Sequence, residues 1–173
     1  MGDDRDDGRR RHRGVDFASD RGEPVFAIAD GVVAHAGPQL KLGVTPNVPS
    51  KDARKVAGKK MGRGGLYVML DHADQKRSAY MHLDRYQVRK GQTVRRGDLL
   101  GHVGRSGMTS GNAHLHFELR AADEHVDPLP VLGSLVISPM QTWRGVWVER
   151  RQRKERAERL EKKRLSRKRR SKK

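Results

Sequence analysis

A chain of 173 residues with 38 Lys+Arg against 21 Asp+Glu, a formal charge of +17 and no Cys is expected to hold one domain with a modest core plus a tail. Without thiols, disulfide scaffolds, thiolate zinc fingers, iron–sulfur clusters and cysteine nucleophiles are excluded together, so any metal must be held by His and carboxylate. No window approaches about 18 consecutive apolar residues, and the opening GDDRDDGRRRHRG is not a basic stretch followed by an apolar core, so the chain as written shows neither a membrane span nor a signal peptide.

In chain order, the acidic cluster Asp3, Asp4, Asp6 and Asp7 lacks the Gly-bearing spacing of a calcium loop and reads as a mobile terminus. His12-Arg13-Gly14-Val15-Asp16 sets an imidazole and a carboxylate four apart, and Gly14 followed by β-branched Val15 predicts a loop leading into a strand. From Val25 to Leu132 short β-type runs alternate with Gly: VFAIA (25–29), GVVAHA (31–36), GLYVMLDH (65–72), RSAYMHL (77–83), DLLGHVG (98–104) and AHLHFELR (113–120). No 3.6-residue apolar repeat is visible before residue 149, so the body is predicted to be all-β and antiparallel. GEPVFAIADGVVAHAG (22–37) and GQTVRRGDLLGHVGRSG (91–107) share Gly-x-x-Val, a second Gly and a short apolar strand, which suggests a duplicated hairpin. Residues 37–64, rich in Pro, Gly, Lys and Arg, are long for a connection and are expected to form a surface loop, one that could rim a site.

The tail, residues 149–173, holds 15 Lys+Arg and 4 Glu, so it carries +11 of the +17. With Ala157, Leu160 and Leu165 as its only apolar residues it cannot build a core, and it is expected to be disordered or a solvated helix. Its charge suits an anionic surface such as a wall polymer, membrane headgroups or nucleic acid. It has no aromatics to stack on bases.

The chemistry gathers on histidine. In a strand, His114, His116 and Glu118 point to one face while Leu115, Phe117 and Leu119 point to the other. If His12, Asp16 and one of the pair His114/His116 met, two nitrogens and one oxygen would leave a tetrahedral zinc with its fourth position open. A second, non-ligating His, either His82 or the unused member of the pair, could then take a proton from water.

HRGVDFAS (12–19), GEPVFAIADGVVAHAG, Tyr80-Met81-His82-Leu83, GQTVRRGDLLGHVGRSG and HLHFELR (114–120), closing at VDP (126–128), together resemble the lysostaphin-type (LytM-type) zinc metallopeptidases that cut peptidoglycan peptides. The resemblance implies a small antiparallel barrel-sandwich hybrid over residues 9–132, followed by a connecting segment 133–148 and the tail 149–173. It implies His12, Asp16 and His116 as ligands of one Zn²⁺ per chain, with His82 and His114 as the catalytic histidines. It further implies a zinc-dependent endopeptidase acting on peptide cross-links of peptidoglycan in the cell envelope or outside the cell. The alternative is a non-catalytic wall-binding or hydrolase-activating module of the same fold. A lipoyl- or biotinyl-type carrier domain, suggested by the Gly-Asp hairpin, is disfavoured because no Lys follows VFAIADG at the hairpin tip of this chain and a carrier has no use for His-x-His. The chain departs from the family pattern in having little before His12, in the inserted 37–64 and in Asn112-Ala113 where Gly-Pro is frequent. His72 is expected to be structural, and His35, His102 and His125 to be surface or hydrogen-bonded groups. Glu118 is expected either to orient a ligand or, in preference, to pair with a nearby Arg.

Overall fold

The computed structural model describes residues 10–133, apart from 42, 44, 45, 110 and 123, together with residues 4 and 5. The tail 149–173 and, Gly133 apart, the expected connecting segment lie outside the described residues. In chain order the elements are β1 Asp4–Arg5, β2 Arg10–Arg11, β3 Val15–Ala18, β4 Pro24–Phe26, β5 Gly31–Leu40, α1 Ser50–Ala57 and a short 3₁₀ turn Gly58–Lys60. They continue with β6 Met61–Asp71, β7 Lys76–Tyr86, β8 Thr93–Val94, β9 Leu99–Val103, β10 His114–Ala121, β11 Glu124–Val126 and α2 Pro128–Gly133. β1 and β2 pair with each other, and the other nine strands form one antiparallel sheet in which β5, β6 and β7 are a meander. The all-β antiparallel expectation holds.

The two self-similar stretches pair crosswise. β4 lies against β9 and β5 against β8, while Ala27 N–H donates to the Asp98 carbonyl and Gly97 N–H to the Ala27 carbonyl. Neither stretch is a hairpin of its own, since β4 does not pair with β5 nor β8 with β9; each stretch instead pairs with strands of the other and so covers their edges. Leu66, Val68 and Leu70 alternate inward along β6, and Phe117 and Leu119 along β10. They meet Tyr80, Leu83, Val33, Val94 and Leu100 in one core. Truncating a fully buried leucine such as Leu66 or Leu100 to Ala is worth about 2–5 kcal/mol.

Residues 37–64 are not a loop throughout. β5 runs on to Leu40, β6 begins at Met61, and α1 lies between them. Pro38 is accommodated because it faces Leu66 of β6, while β8 pairs only with Gly31 and Val32 of β5, so its missing N–H faces no strand. α1 buries Ala53 and Ala57 one turn apart. The segment is tied down where Tyr86 N–H donates to Ser50 Oγ, Tyr86 O–H to the Val48 carbonyl and Ala36 N–H to Asn47 Oδ1.

β7 changes partner midway. Lys76–Met81 pair with β10 and Leu83–Tyr86 with β9. On its other side the register with β6 jumps from Val68 opposite Tyr80 to Leu66 opposite Leu83, so Met81 and His82 face the single residue Tyr67. That is a bulge, a device that re-aims a side chain. His82 lies in it with φ +62°, a region an L-residue enters at a cost of about 1–3 kcal/mol.

Candidate metal centre and catalytic groove

Register alone sets Asp16 of β3 directly opposite His116 of β10. His12 reaches them through the turn at Gly14, whose backbone lies so close to β10 that a Cβ there would stand 2.1 Å from the Phe117 carbonyl oxygen. The donor atoms form a compact triangle: His116 Nδ1 to Asp16 Oδ1 2.7 Å, His12 Nε2 to His116 Nδ1 3.1 Å, and His12 Nε2 to Asp16 Oδ1 3.2 Å. Ligands about 2.0–2.1 Å from a tetrahedral zinc stand about 3.3 Å apart, so two imidazole nitrogens and one carboxylate oxygen fit that ion in chemistry and, along the two edges from His12, in spacing, while the His116–Asp16 edge is a shorter, hydrogen-bond length. Burial pushes the His116 imidazolium pKa down, but its contacts with Glu118 and Asp16 outweigh this and hold it above the ordinary value. Carboxylates that favour a proton on His116 favour any cation at the same place.

Beside the triangle stand the two histidines that bind no metal in the expected scheme. The His82 and His114 rings lie 4.8 Å apart and those of His82 and His116 6.0 Å apart, centroid to centroid. His82 Nδ1 donates to the Ser106 carbonyl at 2.9 Å and His114 Nδ1 to the Asn112 carbonyl at 3.0 Å. A carbonyl only accepts, so in each neutral ring Nε2 keeps its lone pair. Burial pushes the His82 pKa down to about 4, against the Ser106 carbonyl and with the help of His114 and His116, so this ring is a neutral acceptor at pH 7. An open groove of about 250 Å³ runs past Asp16, Ala18, His82 and His114, walled by Met108 and Thr109. None of the described residues of 37–64 lines it.

Ser106, which the sequence reading passed over, anchors the arrangement. Its buried Oγ donates to the Leu83 carbonyl at 2.7 Å and accepts from Leu66 N–H at 2.8 Å, so it fixes the loop after β9 to both strands beside the bulge. Gly65, at φ +67°, admits this approach, since a Cβ there would lie 2.4 Å from Ser106 atoms. The only signal in the sequence was the clustering of Gly and Ser in GRSG (104–107).

Glu118 departs from the preferred expectation. Among the described residues its carboxylate meets His116 Nε2 at 3.1 Å and lies 3.7 Å from His125 Nδ1, not against an Arg. It shares the strand face of His116 two residues on, which brings it to the ring nitrogen turned away from the triangle. A carboxylate there holds ring orientation and tautomer. His72 lies elsewhere, bonded to the Asp30 carbonyl and Ser78 Oγ. His35 is no surface group: 4% exposed and stacked on Tyr67, it has no partner for Nε2 among the described residues. His102 is half-buried, with no partner for Nδ1 among the described residues.

The profile of peptidase family M23 matches residues 10–128. The chain is 31% identical over 128 residues to peptidoglycan DD-endopeptidase ShyB of Vibrio cholerae, covering 72% of this chain and 25% of that protein. It is 32% identical over 121 residues to murein hydrolase activator NlpD of Escherichia coli, covering 70% of this chain and 26% of that protein. It therefore spans about a quarter of the length of these relatives. The catalytic domain of the antimicrobial peptidase lysostaphin from Staphylococcus simulans superposes with a TM-score of 0.54 at 32% identity, over 71% of this chain and 80% of that one. A family profile over most of the chain, and a common fold with the zinc-compatible triangle set at the β3–β10 register, lead to one assignment: the chain belongs to peptidase family M23.

Proposed function

We propose that the chain is a zinc-dependent endopeptidase that hydrolyses peptide cross-links of bacterial peptidoglycan in the cell envelope. The observation that carries the reading is the triangle of His12, Asp16 and His116 with edges of 2.7–3.2 Å beside two histidines whose Nε2 lone pairs are free by hydrogen-bond logic. Zinc held by those three residues supplies Lewis acidity, which polarises a carbonyl and brings the pKa of water toward about 7. His82, neutral at pH 7 because burial depresses its pKa to about 4, accepts a hydrogen bond at Nε2 and so orients the attacking water. His114, in the groove wall, takes up the proton at Nε2, donates from it to the oxyanion of the tetrahedral intermediate, and passes that proton to the leaving amine as the C–N bond breaks. Asp16 serves as a ligand through Oδ1, and Glu118 holds the His116 ring from behind. The basic tail adds attraction to an anionic surface of the envelope.

Similarity to a hydrolase activator supports a second reading, a module that binds wall peptides without cutting them. Purified sacculi separate the two. Soluble peptide fragments released by the full chain, abolished by a chelator and restored by zinc, are the expected result. Retention on sacculi with no fragments at any zinc concentration would establish the binding module instead.

A further inference from the structure

Two groove-lining residues lead, within a few positions, into one charge cluster. Arg21 stands three residues past Ala18, and Asp84 two past His82. At about 3.8 Å between successive Cα atoms, the Cα atoms of Arg21 and Asp84 lie within about 11 Å of those of Ala18 and His82. Three guanidiniums from separate parts of the chain converge on the Asp84 carboxylate. Arg21, after β3, donates to Oδ1 from Nη2 at 2.6 Å and from Nε at 3.2 Å. Arg54 of α1 donates to the same oxygen at 3.2 Å, and Arg85 to Oδ2 at 3.4 Å.

Three of these contacts crowd Oδ1 and one reaches Oδ2, and the cluster of three cations and one anion keeps a formal excess of +2. Half or more of each Arg side chain is open to solvent, 68%, 53% and 50% for Arg21, Arg54 and Arg85. Among the described residues Asp84 is the one carboxylate they meet. A single exposed ion pair contributes only about 0–1 kcal/mol, and gathering three like charges on one carboxylate adds repulsion, so stabilisation alone does not account for the arrangement. A second oxyanion balances it, and guanidiniums already oriented by Asp84 present their unused N–H groups to one in a geometry that suits a carboxylate.

We infer that Arg21, Arg54 and Arg85, gathered on Asp84 within a few residues of the groove wall, form a subsite for a free carboxylate of the bound peptide. The identity of that peptide rests on the peptidase reading above. The subsite selects cross-links whose stems carry free carboxylates near the scissile bond over uncharged bridges. It also gives α1 a role, since the helix delivers Arg54.

The test is fluorescence anisotropy on the full chain stripped of metal by a chelator, with two labelled synthetic cross-linked peptides identical except that the carboxylates of one are carboxamides. The carboxylate peptide is expected to bind about tenfold more tightly. The gap should shrink as salt rises and close in the double variant Arg54→Gln/Arg85→Gln, which leaves Arg21 to satisfy Asp84. Equal affinity of the unaltered chain for both peptides would overturn the subsite, and so would a gap that the double variant leaves intact. Inorganic phosphate that displaces the peptide at lower concentrations than acetate does would assign the cluster to phosphate groups and overturn it too. Because binding is read without hydrolysis, the two readings fail separately. A chain that shows the gap but releases nothing from sacculi sinks the peptidase, whereas one that cuts sacculi but shows no gap sinks only the subsite.

Discussion

Replacing Gly14 with Ala tests whether the close approach of β3 to β10 is what brings the three donors together. An added Cβ would stand 2.1 Å from the Phe117 carbonyl oxygen, 2.9 Å from its carbon and 3.1 Å from Glu118 Cγ. Since Cβ contacts under 3.0 Å are essentially never seen, the two backbones must part by about 0.9 Å, and no flexible side chain can absorb the shift, because the nearest atoms are backbone. His12 and Asp16 lie two residues either side of Gly14, and His116 precedes Phe117, so the displacement falls on the triangle itself. Metal–ligand distances tolerate only about 0.2 Å. The expected loss in zinc affinity is at least about 100-fold, equivalent to about 2.7 kcal/mol, with a further overpacking cost of about 1–3 kcal/mol on the metal-free fold. Competition with a chromophoric chelator measures the first, and denaturant unfolding in excess chelator the second. Gly22→Ala is the control: its φ of +92° strains the new side chain, but nothing lies within 4 Å of it, so it should lower stability and leave zinc affinity alone. A Gly14→Ala protein that binds zinc as tightly as the unaltered chain would refute the claim that strand approach sets the triangle.

Three other substitutions probe the surroundings. Ser106→Ala strips the hydroxyl from between Leu66 N–H and the Leu83 carbonyl, at about 1–3 kcal/mol for each buried group left unpaired. It should lower Tm and slow fragment release from sacculi while zinc stoichiometry stays unchanged, because no metal donor moves. Glu118→Gln keeps the shape but removes the charge behind His116, and chelator competition should show zinc affinity about 10–100-fold weaker. His35 carries a pH signature. Burial is the main cause that holds its pKa below the ordinary 6.5, with Lys90 adding to it and the Gly37 backbone opposing. The unfolded chain then takes up this proton first, so the contribution of neutral His35 to stability is complete above about pH 6.5 and is lost as pH falls toward the folded value. In excess chelator, unfolding free energies compared between about pH 7.5 and about pH 5.5 should fall less for His35→Gln than for the unaltered chain. Equal slopes would refute the assignment.

The sheet was legible because its signal is local. Period-two alternation in His114-Leu115-His116-Phe117-Glu118-Leu119 fixes which face packs and which carries imidazoles, whereas the self-similar Gly-x-x-Val stretches are not the duplicated hairpins they suggest but strands that pair crosswise with one another. α1 was not legible, for a physical reason: its buried stripe is only Ala53 and Ala57, and its one-sidedness comes from Lys and Arg on the outside, so no apolar period shows. Convergence of His12 and Asp16 on a residue 100 positions away depends on which strands pair, and no property of His-x-x-x-Asp states that. Recognition of ordered motifs supplied the grouping that spacing could not.

His82 is where local reasoning fails most completely. Tyr80-Met81-His82-Leu83 reads as uninterrupted strand, yet the chain breaks register there and His82 takes φ +62°. The cause is tertiary. β7 must pair with β10 before this point and with β9 after it, and two neighbours on one edge can share a strand only if the strand bends between them. The residue at the bend leaves the alternation of its neighbours, so its ring lines the groove beside His114. The strain, about 1–3 kcal/mol, is offset by bonds found at that bend, from His82 Nδ1 to the Ser106 carbonyl and from Ser106 Oγ to Leu66 and Leu83. The same strand crossing that shapes the sheet therefore holds this histidine in place. A substitution that relaxes the bend by removing the Ser106 hydroxyl should stabilise nothing and should cost activity before it costs metal.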